Sequence, residues 1–219
     1  KALVNHPDVR VLSFTGSTAT GRSIAETAGK LNKKLSLEMG GKNAIIVMDD
    51  ANLELVTDAT LWSAFGTTGQ RCTAASRLIV QKGIASKLKE ALVEKTKKLR
   101  LGDGLDPKVE VGPVINKIAL DRIHSMVQAG QKEGARVLTG AAIADVGGKG
   151  FFYAPTLFDG VNPGSMLEAE EIFGPVLSIV EVESLEEAID VNNRSQYGLS
   201  TSIFTQDVNR AFTAMRDIA

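Results

Sequence analysis

From Asn43 to Met48 the chain reads NAIIVM, an apolar run with none of the polar alternation of a half-exposed strand. Such a segment reads as a strand covered on both faces, the condition of a largely parallel sheet lying between layers of helices. The run VLSIV at 176–180 has the same character. Strand-like stretches alternate with amphipathic helical ones along the rest of the chain, which makes the expected fold class α/β, a mostly parallel sheet flanked by helices.

Further strands are expected at 10–15, 34–39, 76–80, 135–140 and 199–205. Helical patterns occupy 19–30 and the stretch from Asn52 to about Gly66, where Leu53, Val56, Ala59 and Trp62 recur every three residues and Leu61 and Phe65 widen the stripe. Ser86 is expected to cap a helix carrying Leu88, Leu92 and Leu99, with Lys95, Lys97 and Lys98 near its C-terminus. The stretch 101–113 reads as a loop, and a helix through Leu120, Ile123, Met126 and Val127 stops near Gly134. The segment 147–155 reads as a turn or hairpin, Ser184 and Glu187 form a capping box, and Asp207 opens a last helix with Val208, Phe212 and Met215 that runs to the end of the sequence.

Composition narrows the function classes. With 25 Lys and Arg against 26 Asp and Glu, the net charge of −1 gives no basic field for nucleic acid or an anionic membrane. The apolar runs are too short to cross a bilayer, and no charged-then-apolar leader opens the chain, so neither a membrane nor a secretory destination is expected. A single cysteine allows no internal disulfide and suits a reducing compartment, the cytoplasm being the expectation. His6 and His124 stand apart without neighbouring ligands, so no metal site is expected, and both read as surface or capping residues.

Four stretches carry possible chemistry. FTGSTATG at 14–21 reads as strand, turn and helix, where exposed amides beside Ser17 and Thr18 suit a phosphate, although many βα turns contain glycine. In LEMGGKN at 37–43, Glu38 is either a solvated carboxylate at a strand end or a general base beside a close backbone approach. In TGQRCTAAS at 68–76, Cys72 is either core packing or a nucleophile whose thiolate is favoured by amides of a following helical turn TAAS, and by Arg71 if its side chain turns inward. In EEIFGPV at 170–176, the acids can cap the turn or serve a site, and Phe173 can be core.

Together, FTGST, LEMGGKN, GQRCTA and EEIFGPV resemble, in order and spacing, the aldehyde dehydrogenases that use nicotinamide cofactors, and VGPVIN (111–116) and YGLSTSIFT (197–205) extend the likeness over nearly the whole chain. The resemblance implies that Cys72 is the nucleophile and Glu38 the base that activates water. It implies cofactor contacts by Gly16 and Ser17 on the phosphate side, with Gly21 closing the glycine pattern, and by Glu171 and Phe173 at the nicotinamide ribose. The implied reaction is oxidation of an aldehyde, with a lean toward semialdehydes, to the acid with NAD or NADP, through a thiohemiacetal and a thioester on Cys72.

The match begins partway through the family's cofactor domain and stops before its C-terminal end. The resemblance therefore implies residues 1–40 as the end of the dinucleotide-binding domain, a partial Rossmann-type segment, and 41–219 as a catalytic domain truncated at its C-terminus. The chain alone is expected to be inactive, and the parent enzyme to be a homo-oligomer acting on a small aldehyde. Two rivals stand beside this reading. A coenzyme A-acylating relative is disfavoured by the presence of Glu38, and a non-catalytic binding or structural protein on the same fold by the joint presence of Cys72, Glu38 and Glu171.

Overall fold

The computed structural model describes residues 1–219. Contacts divide the chain into two compact units, Lys1–Gly41 and Lys42–Ala219.

In the first unit a short helix α1 (Ala2–Asn5) precedes strand β1 (Val11–Thr15), helix α2 (Thr18–Lys30) and strand β2 (Lys34–Glu38). β1 and β2 pair in parallel from Val11 opposite Lys34 to Thr15 opposite Glu38. Alternate residues Leu12, Phe14, Leu35 and Leu37 are half-buried and their neighbours exposed, the period-two pattern of strands covered on one face.

The second unit starts with β3 (Asn43–Val47), α3 (Leu53–Phe65), β4 (Ala75–Gln81), α4 (Lys82–Thr96), α5 (Lys117–Lys132) and β5 (Arg136–Thr139). The hairpin strands β6 (Ile143–Ala144) and β7 (Phe152–Tyr153) follow, then β8 (Thr156–Asp159), α6 (Met166–Ala169), β9 (Val176–Val182), α7 (Leu185–Asn193), β10 (Thr201–Phe204) and α8 (Val208–Asp217). Six strands form one sheet in the order β10-β3-β4-β9-β8-β5, parallel throughout except for the antiparallel edge pair β5–β8.

The unbroken apolar run of β3 has the predicted cause. Ala44, Ile46 and Met48 enter a core with Leu120, Ile123 and Val127 of α5 and with Leu185, Ala188 and Ile189 of α7. Ile45 and Val47 enter another, with Val56, Leu61 and Phe65 of α3 and with Leu88 and Leu92 of α4. Helices cover both faces, so both strand parities must be apolar.

Local expectations fail in instructive places. Trp62 is 65 % exposed, not core. A step of three residues falls about 60° short of a full helical turn, so three such steps carry Trp62 to the side opposite Leu53. The buried face runs instead through Val56, Thr57, Thr60, Leu61, Ala64 and Phe65. Ser86 caps nothing: β4 passes directly into α4 at Lys82, and the Ser86 hydroxyl donates to Glu90 from within the helix. Lys97, Lys98 and Leu99 lie beyond its end. β8 and α6, at 156–159 and 166–169, were not anticipated from the sequence, both being only four residues long. α8 closes at Asp217, and its residues Val208, Phe212 and Met215 face solvent while Ala214 is buried. His6 is the exposed C-cap of α1, whereas His124 is half-buried, its Nδ1 3.3 Å from the Tyr153 hydroxyl.

Candidate active site

In the first unit the glycine turn follows β1. Ser17 caps α2, its Oγ accepting from the Thr20 amide at 3.4 Å and donating to Thr20 Oγ1 at 3.0 Å. The first-turn amides of α2 have no intrahelical acceptors, and no acidic residue occupies that turn, so this end is electropositive. The Gly16 amide donates to the Glu38 carbonyl at 3.0 Å, joining the two motifs at the C-terminal ends of β1 and β2. Glu38 ends β2 with its side chain exposed. Gly21 is buried, and a Cβ there would overlap the Met39 thioether, so its smallness lets α2 approach the strands.

In the second unit the cysteine loop follows α3. Thr68 and Gly69 take left-handed backbone angles, φ 56° and 65°. The Thr68 hydroxyl donates to the Gly112 carbonyl at 3.0 Å, and the Gln70 side chain donates to Pro113 O at 3.3 Å while accepting from the Ile115 amide at 2.9 Å. The Asn43 amide nitrogen donates to the carbonyls of Cys72, at 2.6 Å, and Ala74, at 2.9 Å. Cys72 is half-buried and carries a free thiol. The expected helical turn after it is absent. Residues Arg71 to Ala74 make one tight turn and β4 begins at Ala75, because β4 must pair there with Asn43. Arg71 turns onto Trp62, its guanidinium carbon 4.5 Å from the ring centroid.

A second loop meets this one. A Cβ on Gly69 would overlap the Gly174 carbonyl, which places the cysteine loop directly against the turn 173–175. Phe173 is left-handed (φ 52°) and 39 % exposed, and Glu171 is half-buried. Arg122 donates to Ile172 O at 2.6 Å, and Lys42 Nζ donates to Glu170 O at 2.7 Å. The structure thus brings the loop of Cys72 together with the loop of Glu171 and Phe173, and separately brings Gly16, Gly21 and Glu38 together.

Beneath the two loops lie charges that the sequence reading missed. Arg77, buried in β4, donates through Nε to Lys42 O at 2.9 Å, through one terminal nitrogen to Glu168 at 2.9 Å and to Val191 O at 3.1 Å, and through the other to Asn192 O at 3.3 Å. Burial lowers its pKa, the bond to Glu168 opposing only part of that shift, and the guanidinium stays protonated. Lys42 is 2 % exposed. Burial first, and then Arg77, lower its pKa to about 7 against the opposing pull of Glu168, Glu171 and Glu170. The only sequence signal for this layer was a cation at the head of each apolar strand, in GGKNAIIV and SRLIV.

Residues 1–219 match the Aldehyde dehydrogenase family throughout. An alpha-ketoglutaric semialdehyde dehydrogenase of Bacillus subtilis is 41 % identical over 220 residues, which cover 100 % of this chain and 45 % of that protein. Among solved structures, an NAD-dependent aldehyde dehydrogenase of Sinorhizobium meliloti superposes with a TM-score of 0.96 at 36 % identity, over 99 % of this chain and 43 % of that one. A point mutant of Staphylococcus aureus betaine aldehyde dehydrogenase in complex with NAD+ also gives 0.96, at 35 % identity, over 99 % of this chain and 45 % of that one. The chain belongs to the aldehyde dehydrogenase family and spans less than half the length of these relatives. No helix is long and apolar enough to cross a membrane.

Proposed function

We propose that the protein carrying this chain oxidises an aldehyde, a semialdehyde foremost, to the carboxylic acid with NAD or NADP. One observation carries the reading most: the only cysteine sits on a loop fixed from Asn43, Gly112 and the 173–175 turn, beside the acidic and aromatic pair Glu171 and Phe173. The similarity to a semialdehyde dehydrogenase favours that substrate class. The first unit fits a dinucleotide phosphate, since α2 presents a serine cap, first-turn amides without intrahelical acceptors and no acid.

In this mechanism the Cys72 thiolate adds to the aldehyde carbon, forming the C–S bond of a thiohemiacetal. A nicotinamide dinucleotide, when bound, would supply the hydride acceptor. Loss of hydride from that carbon leaves a thioester on Cys72. Glu38 takes a proton from water as the water oxygen adds to the thioester carbon, and the C–S bond breaks to return the thiolate and release the acid. Gly16 and Ser17, with Gly21 closing the turn, would hold the phosphate side of the cofactor. Glu171, beside Phe173, would hold the nicotinamide ribose. The 219 residues alone are inactive in this account, because the relatives that carry the activity are more than twice as long, and the complete protein is a homo-oligomer. The test is Cys72→Ser in the complete protein. Turnover should vanish while NAD+ affinity stays within about twofold, a hydroxyl being a far poorer nucleophile at neutral pH. Undiminished turnover would refute the assignment.

A further inference from the structure

Lys42 and Asn43 are consecutive, and successive side chains along an extended backbone point to opposite sides. Lys42 shares the parity of Ala44 and Ile46, which face the α5–α7 core, and Asn43 shares that of Ile45 and Val47, which face the α3–α4 core. The turn 170–175 follows α6, whose Leu167 belongs to the first core, and the cysteine loop follows α3, which belongs to the second. Two loops from opposite faces of the sheet therefore converge on one strand end, and each receives a side chain from one of two adjacent residues. Asn43 donates twice to the cysteine loop, at Cys72 and Ala74, and Lys42 donates to the other loop at Glu170.

Both side chains are expensive where they stand. Lys42 is 2 % exposed among Arg77, Glu168, Glu170 and Glu171, and the Asn43 Oδ1 is buried without a hydrogen-bond partner. An apolar side chain of similar length would avoid those desolvation costs. What neither Leu nor Met could supply is the donor to each loop. Arg77 Nε, bonded to Lys42 O at 2.9 Å, fixes the peptide between the two.

We propose that Lys42 and Asn43 are paired positioning residues, Asn43 setting the cysteine loop through the Cys72 and Ala74 carbonyls and Lys42 setting the cofactor loop through the Glu170 carbonyl. The inference deepens the proposed function and rests on it for the roles of the two loops. It separates their consequences: Asn43 governs what Cys72 can do, and Lys42 governs how tightly Glu171 and Phe173 hold a nicotinamide cofactor.

The experiment is a two-by-two comparison in the complete protein. Asn43→Leu and Lys42→Met are each measured for NAD+ dissociation constant by calorimetry and for the rate of Cys72 alkylation by iodoacetamide, followed by mass spectrometry of its peptide. kcat with a saturating semialdehyde is measured beside them. Asn43→Leu should change the alkylation rate severalfold and lower kcat by about 10²-fold, the cost of misplacing a reacting group by about 1 Å, with NAD+ affinity within about twofold of wild type. Lys42→Met should weaken NAD+ about tenfold, on the order of one lost hydrogen bond, with alkylation within about twofold, and Lys42→Arg, which keeps a donor, should recover most of that loss. Thermal midpoints control for unfolding. If Lys42→Met does not fold, Lys42→Gln, which keeps a shorter donor, takes its place against Lys42→Arg. Variants that move both readouts together, or neither, overturn the proposal. A wild-type protein that binds no NAD+ and oxidises no aldehyde overturns the functional reading instead, while the alkylation contrast still tests the loop assignment.

Discussion

Gly69→Ala strikes the contact on which the candidate site depends. At φ 65° a Cβ costs roughly 1–2 kcal/mol in backbone strain alone. It would also overlap the Gly174 carbonyl and lie 3.0 Å from Pro175 N, all backbone atoms with no rotamer by which to retreat. One loop must then move by about 1 Å, and a shift of that size at a reacting group costs on the order of 10²-fold in rate. Gly148→Ala is the control, with a similar φ of 71° and nothing within 4 Å of the added Cβ. Urea unfolding should show a loss of about 1–2 kcal/mol for Gly148→Ala and about 3 kcal/mol or more for Gly69→Ala, the excess being the overlap. kcat in the complete protein should fall for Gly69→Ala alone. Equal stability losses, or a Gly69→Ala variant with wild-type kcat, would show that the two loops do not depend on this approach.

Lys42 imposes a pH dependence on stability. The unfolded chain holds its proton up to the ordinary lysine value of 10.5, the folded chain only to about 7. Between those values the unfolded state binds more protons, so stability rises with pH. Relative to Lys42→Met, the wild type should gain about 2 kcal/mol between about pH 7.5 and 9, the slope being limited to about 1.4 kcal/mol per unit. A difference that is flat or falls with pH would contradict the burial of this amine. Arg77→Met and Glu168→Gln each strand one charged partner of a buried pair and should each cost about 3–5 kcal/mol by denaturant unfolding. Combining Arg77→Met with Glu168→Gln should cost clearly less than the sum of the two, and strict additivity would mean the pair at 2.9 Å is not coupled.

The sheet was legible because its cause is local in sequence: a strand covered on both faces must be apolar at every position, as Ala44 to Val47 are. Trp62 misled because a three-residue spacing imitates a helical stripe while rotating out of it. Ser86 misled because a strand that enters a helix without a break needs no serine at the junction. The family's motifs marked Cys72 and the Glu171–Phe173 turn separately, yet their contact depends on the absence of a Cβ at Gly69, which no composition or period reports. Lys42 and Arg77 were illegible for a different reason. A cation at a strand head reads as solvated unless its partners are known, and here they lie 91 to 128 residues away, at Glu168 and Glu170.

The central claim, covalent chemistry at Cys72 resolved by Glu38, is tested most directly with Glu38→Gln in the complete protein. Mixed rapidly with aldehyde and NAD+, this variant should release a burst of about one NADH per site and then turn over about 10²- to 10⁴-fold more slowly than wild type, the usual worth of a general base. Peptide mass spectrometry after an acid quench should find the substrate's acyl group on Cys72. Wild-type turnover without a burst, or an acyl group on any residue but Cys72, would contradict the account.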